Sequence, residues 1–293
     1  MKILVTGANG QVGHCLLQQL QAKGWDYVAL TRNELDISDA SAVEKSIAEI
    51  KPTVIINAAA YTAVDKAEQE PELAYAINRD GPANLARAAK SVGAAILHIS
   101  TDYVFAGDAD GKYCEDAPTA PQGVYGQSKL EGEQAVTAAN DKHIILRTAW
   151  VFGEHGNNFV KTMIRLGRTR DALGIVADQE GGPTYAGDIA TVLLHIAQQY
   201  AENKTISWGT YHYSGLPHIS WFGFAKQIFA EVQQAEIYEK PIPQLNAITT
   251  ADYPTPAKRP ANSKLDCNKL EKAFGIAPSD WQAALKNIRA YSA

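Results

Sequence analysis

The first half of the chain alternates short, continuously apolar runs with longer stretches of helical spacing, and this alternation constrains the fold more than any other feature. Strands without a polar face are buried on both sides, which is typical of a parallel sheet covered by helices. We therefore predict a doubly wound, Rossmann-type α/β fold, whose ligands bind at the carboxyl ends of the strands. The predicted strands are 3–6, 27–30, 53–57, 95–100 and 143–148, and the predicted helices between them are 12–20, 42–50 and 83–89.

The second half is less regular and predicts a smaller C-terminal α/β region. Helical spacing covers 159–166 and 189–200, and short strands are predicted at 211–213 and 244–248. We place the first domain at 1–151 and the second at 152–293, and the second can share elements with the first.

Charge and cysteine content exclude several classes of protein. A net charge of −5 argues against a nucleic-acid partner, because a phosphate-binding surface concentrates Lys and Arg. No apolar run is long enough for a membrane span, and the chain begins with a strand rather than a leader. The three cysteines (Cys15, Cys114 and Cys267) are odd in number and far apart, which favours free thiols in a reducing compartment. We therefore predict a cytoplasmic protein.

A glycine-rich turn joins the first predicted strand to the first predicted helix. Its spacing is GxxGxxG rather than the GxGxxG of the usual dinucleotide fingerprint. Glycines allow a tight turn and a close approach of pyrophosphate to the backbone, and the helix N-terminus offers free N–H groups. A purely structural turn is the alternative, but the position after the first strand favours a bound dinucleotide. The candidate residues are Gly7, Gly10, Gln11, Val12 and Gly13.

The end of the second strand bears on which dinucleotide is bound. An acidic residue there would bind the adenosine ribose hydroxyls and favour NAD. The chain instead has Thr31, which carries no charge, and Arg32, which can pair with a 2′-phosphate unless it is simply solvent-exposed. We predict a preference for NADPH, with NADH left open as a second cofactor. Asp36 and Ile37 follow and are candidates for contact with the adenine.

Tyr125 and Lys129 are the candidate proton-transfer pair. Residues four apart lie on one face of a helix, so both side chains point the same way. A free tyrosine has a pKa of about 10, and a nearby ammonium lowers that value and allows proton exchange near neutral pH. An ordinary helix surface is the alternative for an isolated YxxxK match.

The end of the fourth predicted strand carries two hydroxyls, Ser100 and Thr101, at the ligand edge of the sheet. Thr101 can donate a hydrogen bond to a substrate carbonyl and orient it. Alternatively, both hydroxyls only cap the end of the strand. The combination of this strand end with the glycine turn and the Tyr125–Lys129 pair favours a catalytic role for one of the two hydroxyls, and Thr101 is the candidate.

Together these features resemble the extended short-chain dehydrogenase/reductase family, and within it the dTDP-4-dehydrorhamnose reductase family. The resemblance spans nearly the whole chain, and the combination of motifs is far more specific than any one of them. The matching segments are TG and GQVG within 6–13, NAAAYTAVDKAE at 57–68, STDYVF at 100–105, RTAWVFG at 147–153, GNNF at 156–159, YPTPA at 253–257, RP at 259–260 and NS at 262–263.

This resemblance implies that NAD(P)H reduces the C4 keto group of dTDP-4-dehydro-L-rhamnose to give dTDP-L-rhamnose. Tyr125 would protonate the new C4 oxygen, while Lys129 would hold the nicotinamide ribose and tune Tyr125. Residues after 152 would mainly bind substrate. The implied substrate contacts are Thr101, Asp102 and Trp150 at the sugar and Arg259 at the pyrophosphate, and the implied cofactor contacts are Gly10, Gln11, Val12, Asp36, Ile37, Ala60, Tyr61, Thr62, Tyr125 and Lys129.

One departure from the family concerns metal binding and assembly. Some relatives are described as metal-linked dimers that use a carboxylate on the first helix. Here that helix begins with His14 and Cys15 and has no carboxylate nearby. We predict no structural metal, and either a monomer or a homodimer.

Two other functions share much of this pattern. A nucleotide-sugar epimerase or dehydratase also uses a Tyr/Lys pair but retains its nicotinamide through the catalytic cycle. A dehydratase typically adds an Asp-Glu pair after the Ser/Thr, whereas Thr101 is followed here by Asp102 and Tyr103. The second alternative is a non-catalytic protein resembling the regulatory subunit of methionine adenosyltransferase, and the complete Thr101, Tyr125 and Lys129 set favours an enzyme instead.

Overall fold

The computed structural model describes residues 1–292 and is built on a six-stranded parallel sheet. The strands are β1 (Lys2–Thr6), β2 (Asp26–Leu30), β3 (Val54–Asn57), β4 (Ala95–Thr101), β5 (His143–Thr148), β6 (Val151–Phe152), β7 (Ala172–Val176), β8 (Glu180–Gly181), β9 (Thr184–Tyr185), β10 (Gly209–His212), β11 (Ile219–Ser220), β12 (Gln244–Ile248) and β13 (Asn262–Ser263). The helices are α1 (Gln11–Lys23), α2 (Ala40–Ile50), α3 (Val64–Ala67), α4 (Pro71–Tyr75), α5 (Gly81–Ser91), α6 (Val124–Ala139), α7 (Phe159–Thr169), α8 (Ala186–Asn203), α9 (Trp221–Gln234), α10 (Asn268–Phe274) and α11 (Trp281–Leu285).

The strand order of the main sheet is β2-β1-β3-β4-β5-β10, and every neighbouring pair is parallel. Helices α1 and α8 pack on one face of the sheet, and α2, α5 and α6 pack on the other. In this order β2 lies on one side of β1, whereas β3, β4 and β5 follow on the other side. The topological switch point therefore lies between β1 and β3, where ligands bind in folds of this kind. The predicted doubly wound fold is confirmed.

The second half of the chain contributes to both regions. Strand β10 pairs with β5, and α8 packs on α1, so 186–212 extend the main sheet and its covering layer. The remaining elements form a smaller region with its own apolar core around α7, α9 and the β7–β12 pair. Within residues 1–292, no helix is both long and apolar enough to cross a membrane.

The helical segment before β4 is longer than predicted. The prediction covered 83–89, whereas α4 continues through a π-helical turn (Ala76–Asp80) into α5. Pro82 explains the irregular turn, because proline has no N–H to donate to the carbonyl of Asn78. That carbonyl instead faces α6, where a Cβ at Gly132 would lie 2.0 Å from it. The close approach brings Asn78 beside the ligand edge of the sheet.

Candidate active site

Three adjoining cavities form one cleft along the carboxyl ends of β1, β3, β4 and β5. The central cavity has a volume of about 570 Å³ and shares Gly10 and Ala58–Ala60 with a second cavity of about 370 Å³. On its other side it shares Tyr103 and Trp150 with a groove of about 460 Å³. Each volume is within the range of small-molecule sites, so the cleft can hold two extended ligands end to end.

The predicted glycine turn forms the floor where the first two cavities meet. Gly7 has a φ of +73°, and a Cβ there would lie 2.5 Å from the backbone nitrogen of Ala59. A Cβ on Gly13 would lie 2.1 Å from the carbonyl oxygen of Gly7. Only glycine therefore fits at these two positions. Gly13 holds the turn against α1, whereas Gly7 lines the second cavity.

The N-terminus of α1 is open toward the cleft. Gly10 precedes the helix, and no side chain caps the first-turn N–H groups. Gln11 and Val12 line the central cavity together with Gly10. Uncapped N–H groups at the positive end of a helix dipole attract phosphate. The residues present therefore fit the pyrophosphate of a dinucleotide.

The second cavity has the residues expected around an adenosine. Its lining includes the predicted residues Arg32, Asp36, Ile37, Ala60, Tyr61 and Thr62. Thr31 does not line it. Its N–H and hydroxyl donate to the carboxylate of Glu34 at 2.8 and 2.7 Å, and these bonds lower the pKa of Glu34. The sequence interpretation overlooked this carboxylate, which stands at the strand end that we expected to lack a negative charge.

Asn78 holds the loop that contains three predicted cofactor contacts. Its side-chain oxygen accepts from the N–H of Tyr61 at 2.8 Å, and its amide donates to the Tyr61 carbonyl at 3.0 Å. The same amide donates to Ser128 on α6 at 3.1 Å. Asn78 therefore ties the 60–62 loop to the helix that carries the proton-transfer pair. Sequence reasoning missed it because the link depends on the π-helical turn.

The three predicted catalytic side chains meet in the central cavity. Thr101 is the last residue of β4, while Tyr125 and Lys129 lie in successive turns at the start of α6. The Thr101 hydroxyl accepts from the N–H of Tyr103 at 3.2 Å and donates to Asp102 at 3.1 Å. Burial raises the pKa of Tyr125, and a hydrogen bond with Thr101 acts in the opposite direction. The phenol is thus held in its protonated form.

Lys129 is oriented differently from the expectation. Its Nζ donates to the carbonyl of Ile99 at 2.7 Å and lies 3.4 Å from Nε2 of His98. Burial lowers the pKa of Lys129 to about 8, and Glu133 counteracts this effect. The amine thus faces β4 rather than the Tyr125 phenol, and the tuning of Tyr125 by Lys129 stays a prediction.

Asp102 is buried at the junction of the two regions. It accepts hydrogen bonds from Thr101 and from the Ser263 hydroxyl on β13. Burial raises the pKa of Asp102 to about 6, although both hydrogen bonds lower it. Asp102 also lines the central cavity, as its predicted role at the sugar requires.

Two hydroxyls in the cleft lack a hydrogen-bond partner. Ser100 on β4 and Thr148 on β5 are both buried, and neither side-chain oxygen has a partner within the described chain. Both line the central cavity. A buried hydroxyl left unpaired costs about 1–3 kcal/mol, so a ligand group that pairs with it gains affinity. Sequence reasoning considered Ser100 but missed Thr148, since nothing in its local sequence indicates an unpaired hydroxyl.

Trp150 forms the wall between the central cavity and the groove. Its φ of +51° is unusual for a bulky residue, and such strain is common at functional sites. The ring stacks on Trp221 with centroids 3.5 Å apart and planes at 10°. On the other side, a Cβ at Gly181 would lie 2.6 Å from the ring. Trp221 also lines the groove, and no sequence motif indicated its place there.

Arg259 lies in the groove as predicted, but it already has partners. One guanidinium nitrogen contacts Asp65 at 2.5 Å, and another donates to the Tyr103 hydroxyl at 3.3 Å. A pyrophosphate that approaches Arg259 therefore competes with the carboxylate of Asp65.

The start of α1 carries two residues of metal-ligating type, His14 and Cys15. His14 stacks on His155 with centroids 4.1 Å apart, and Cys15 is buried. Across residues 1–292, no group of three or more His, Cys, Asp or Glu side chains is arranged to hold a metal ion. The absence of a structural metal stays a prediction.

Comparisons with known proteins agree with this geometry. The family model described as "RmlD substrate binding domain" matches residues 1–292. A dTDP-4-dehydrorhamnose reductase from Aggregatibacter actinomycetemcomitans is 54% identical over 292 residues, which cover 99% of each chain. A crystal structure of a Clostridium acetobutylicum dTDP-4-dehydrorhamnose reductase is 45% identical, covers 98% of each chain and has a TM-score of 0.90. The Bacillus anthracis reductase, solved in complex with NADP, is 39% identical with a TM-score of 0.90, covering 98% of this chain and 97% of that one.

Proposed function

Because the chain belongs to the RmlD substrate-binding-domain family, whose relatives include dTDP-4-dehydrorhamnose reductases, we propose that it reduces dTDP-4-dehydro-L-rhamnose with NADPH to dTDP-L-rhamnose. The observation that carries this proposal is the meeting of Thr101, Tyr125 and Lys129 in one cavity. That cavity lies between the open helix terminus of α1 and the aromatic groove at Trp150. The reacting groups therefore lie where a dinucleotide and a nucleotide sugar would meet.

The cofactor side of the cleft would hold NADPH, which supplies the hydride when bound. Gln11 and Val12 would bind the pyrophosphate through their N–H groups, and Gly10 would line its path, since the Gly10 N–H already donates to the Gly7 carbonyl at 3.0 Å. Asn78 would keep the 60–62 loop against the cofactor through its two bonds to Tyr61.

Two side chains of opposite charge lie near the expected position of the 2′-phosphate of NADPH. Arg32 favours a 2′-phosphate, whereas the carboxylate of Glu34 repels it. We propose that Arg32 prevails, because it lines the adenosine cavity and Glu34 does not. The preference for NADPH over NADH would then be moderate rather than absolute.

The proton side of the reaction relies on Tyr125 and Thr101. The Thr101 hydroxyl would donate a hydrogen bond to the C4 keto oxygen and shift from its bond to Asp102. As negative charge develops on that oxygen, Tyr125 would transfer its phenolic proton to it. Burial suits Tyr125 to this role, since a raised pKa keeps the phenol protonated before the reaction.

The groove would bind the nucleotide end of the substrate. Its lining is mostly aromatic and apolar and includes Trp150, Trp221 and Phe159, which suits a pyrimidine base and a deoxysugar. Arg259 would exchange part of its contact with Asp65 for a phosphate oxygen.

Location in the cytoplasm and a monomeric or homodimeric state stay predictions.

The test is an NADPH-oxidation assay with dTDP-4-dehydro-L-rhamnose on the wild type, Tyr125→Phe and the control Tyr27→Phe. Tyr27 lies on β2, away from the cleft, and its variant should keep wild-type turnover. Tyr125→Phe should lose about 100-fold or more in kcat, because general acid catalysis typically contributes that much. Near wild-type turnover in Tyr125→Phe would overturn the proposed role.

The purified wild-type protein also distinguishes the proposed reductase from the two alternative functions. A purified protein that retains nicotinamide absorbance and oxidises no added NADPH would indicate an epimerase or dehydratase. A protein without turnover on any 4-keto sugar nucleotide, but with a stable protein partner, would indicate the regulatory role.

A further inference from the structure

The segment 153–158, which leads from β6 into α7, lies against the start of α1. Nδ2 of Asn158 donates to Oε1 of Gln11 at 2.9 Å, although the two residues are 147 positions apart. A Cβ at Gly156 would lie 3.1 Å from Cγ of Gln11, so the chain passes close to the stem of this side chain. A segment from the second half of the chain therefore holds the Gln11 side chain in place.

Two backbone contacts fix which end of the Asn158 amide faces Gln11. Its Oδ1 accepts from the N–H of Lys161 at 3.1 Å and caps α7, and its Nδ2 donates to the carbonyl of Gly153 at 2.7 Å. A backbone N–H can only donate and a carbonyl can only accept, so the two ends of the amide cannot be exchanged. Nδ2 has two hydrogens, and the second one is donated to Gln11.

The Asn158 amide in turn fixes the orientation of the Gln11 amide. Gln11 must present its oxygen, because the opposite orientation would place two donors against each other. Nε2 of Gln11 then points away from Asn158, and the hydrogen bonds within residues 1–292 leave both of its hydrogens without an acceptor. Gln11 is half-buried and lines the central cavity at the first position of α1. Its amide hydrogens are therefore available to a ligand beside the helix terminus.

We propose that Asn158 is a positioning residue, which turns the side-chain amide of Gln11 so that Nε2 donates to a pyrophosphate oxygen of the dinucleotide. The identity of this ligand rests on the proposed reductase function, whereas the orientation of the amide does not. Gln11 carries both an uncapped N–H and this amide, so one phosphate group can accept from both. A hydrogen bond to a charged acceptor is stronger than one between neutral groups.

The place of Asn158 in the fold links the cofactor side of the cleft to the smaller region. Asn158 caps α7, and the next residue, Phe159, lines the groove with its ring centroid 4.6 Å from that of Trp221. The residue that orients Gln11 thus also starts the helix that forms a wall of the groove. Affinity for the cofactor consequently depends on a side chain that lies outside the glycine turn and its sheet.

The first test measures the Kd for NADPH by calorimetry on the full chain, without substrate. Gln11→Met removes the donor and keeps the length of the side chain, so the Kd should rise about tenfold or more. Asn158→Ser keeps an oxygen that can cap α7 but leaves the Gln11 amide free to rotate, so the Kd should rise about three- to tenfold. The exposed Asn268 at the start of α10 supplies the matched control Asn268→Ser, which should keep the wild-type Kd.

The double variant distinguishes a positioning role from a purely structural one. If Asn158 acts through Gln11, Asn158→Ser should not change the Kd further in the Gln11→Met background. Damage to the start of α7 would instead weaken NADPH binding by the same factor in both backgrounds, and that result would overturn the proposal. A wild-type protein without affinity for NADPH would overturn the proposed reductase function, and with it the assignment of the pyrophosphate.

ADP-ribose identifies the part of the cofactor that Gln11 contacts, because it keeps the pyrophosphate and lacks the nicotinamide. Gln11→Met should raise the Kd for ADP-ribose by the same factor as the Kd for NADPH. An unchanged Kd for ADP-ribose, beside weakened binding of NADPH, would place the contact at the nicotinamide and refute the assignment to the pyrophosphate.

The wild-type protein provides a measurement that does not depend on whether the variants fold. The side-chain amides of glutamine are labelled with 15N and observed by NMR, and the Gln11 signals are identified by their nuclear Overhauser contacts to Gly156. Binding of ADP-ribose should shift both Nε2 hydrogen signals and slow their exchange with solvent. Gln11 signals that saturating ADP-ribose leaves unchanged would overturn the proposal, whatever reaction the protein catalyses.

Discussion

The rings of Trp150 and Trp221 lie nearly parallel with their centroids 3.5 Å apart, and this stack separates the central cavity from the groove. Trp150 is held in a left-handed backbone conformation and is packed on its other side by Gly181. Trp221 starts α9, far away in sequence. The partition between the reacting centre and the nucleotide groove thus depends on the smaller region as well as on β5.

Removing the Trp221 ring from its stack on Trp150 should weaken substrate binding without affecting cofactor binding. An aromatic pair contributes about 0.5–1.5 kcal/mol beyond the burial of its surface. Trp221→Ala should therefore raise the KM for the sugar nucleotide at least several-fold and leave the Kd for NADPH unchanged. Trp208→Phe is the matched control, because Trp208 packs on Tyr200 outside the cleft. Equal KM values for Trp221→Ala and the wild type would refute this role of the stack.

Thr148→Val should have opposite effects on stability and on ligand binding. Valine has a similar shape and removes a buried hydroxyl that has no partner, so the Tm should stay the same or rise. If a ligand group pairs with this hydroxyl, the Kd for NADPH or the KM for substrate should rise about tenfold.

Thr184→Val provides the contrast for Thr148→Val. The Thr184 hydroxyl is buried and donates to the Gly182 carbonyl at 2.9 Å, so its loss should lower the Tm. A fall in Tm for Thr148→Val, with ligand binding unaltered, would show that the hydroxyl has no ligand partner.

Substitutions of Arg32 and of Glu34 should shift the preference for NADPH over NADH in opposite directions. Arg32→Ala removes the cation that can pair with a 2′-phosphate, so kcat/KM should fall for NADPH and stay nearly constant for NADH. Glu34→Gln removes the opposing charge and should raise the NADPH/NADH ratio of kcat/KM. The ratio of the two specificity constants is the measurement, and a ratio that neither variant changes would exclude both side chains from this discrimination.

Asp102 should make stability depend on pH. Its folded-state pKa is raised to about 6, so the folded protein binds this proton more tightly than the unfolded chain, whose carboxyl titrates near 3.9. This contribution to stability is fully present below about pH 4 and is lost as the pH rises through about 6. The stability of Asp102→Asn relative to the wild type should therefore increase between about pH 4 and pH 7, by about 3 kcal/mol if the full shift is expressed.

Thermal unfolding across this pH range tests the expectation for Asp102. The exposed Asp26 on β2 supplies the control variant Asp26→Asn. A stability difference between Asp102→Asn and the wild type that does not change with pH would mean that Asp102 is ionised throughout.

Much of the fold and part of the site were predictable, because they depend on residues close together in sequence. Continuous apolar runs indicated β1, β3 and β4, and the observed bounds of each strand differ from the prediction by one residue. The four-residue spacing of Tyr125 and Lys129 placed both side chains in one cavity. Prediction failed where geometry depends on distant packing, as in the contact of the π-helical turn with Gly132.

The sequence by itself determined the sheet type, the glycine turn and the identities of the residues in the proton-transfer set, since each follows from local spacing and backbone sterics. Tertiary structure alone decided the partners of those residues. Asn57 and His98 are separated by 41 positions, and Trp150 and Trp221 by more, so nothing local indicates that they touch. Lys129 likewise faces Ile99 and His98 because α6 packs on β4, and burial there lowers the pKa of the lysine to about 8.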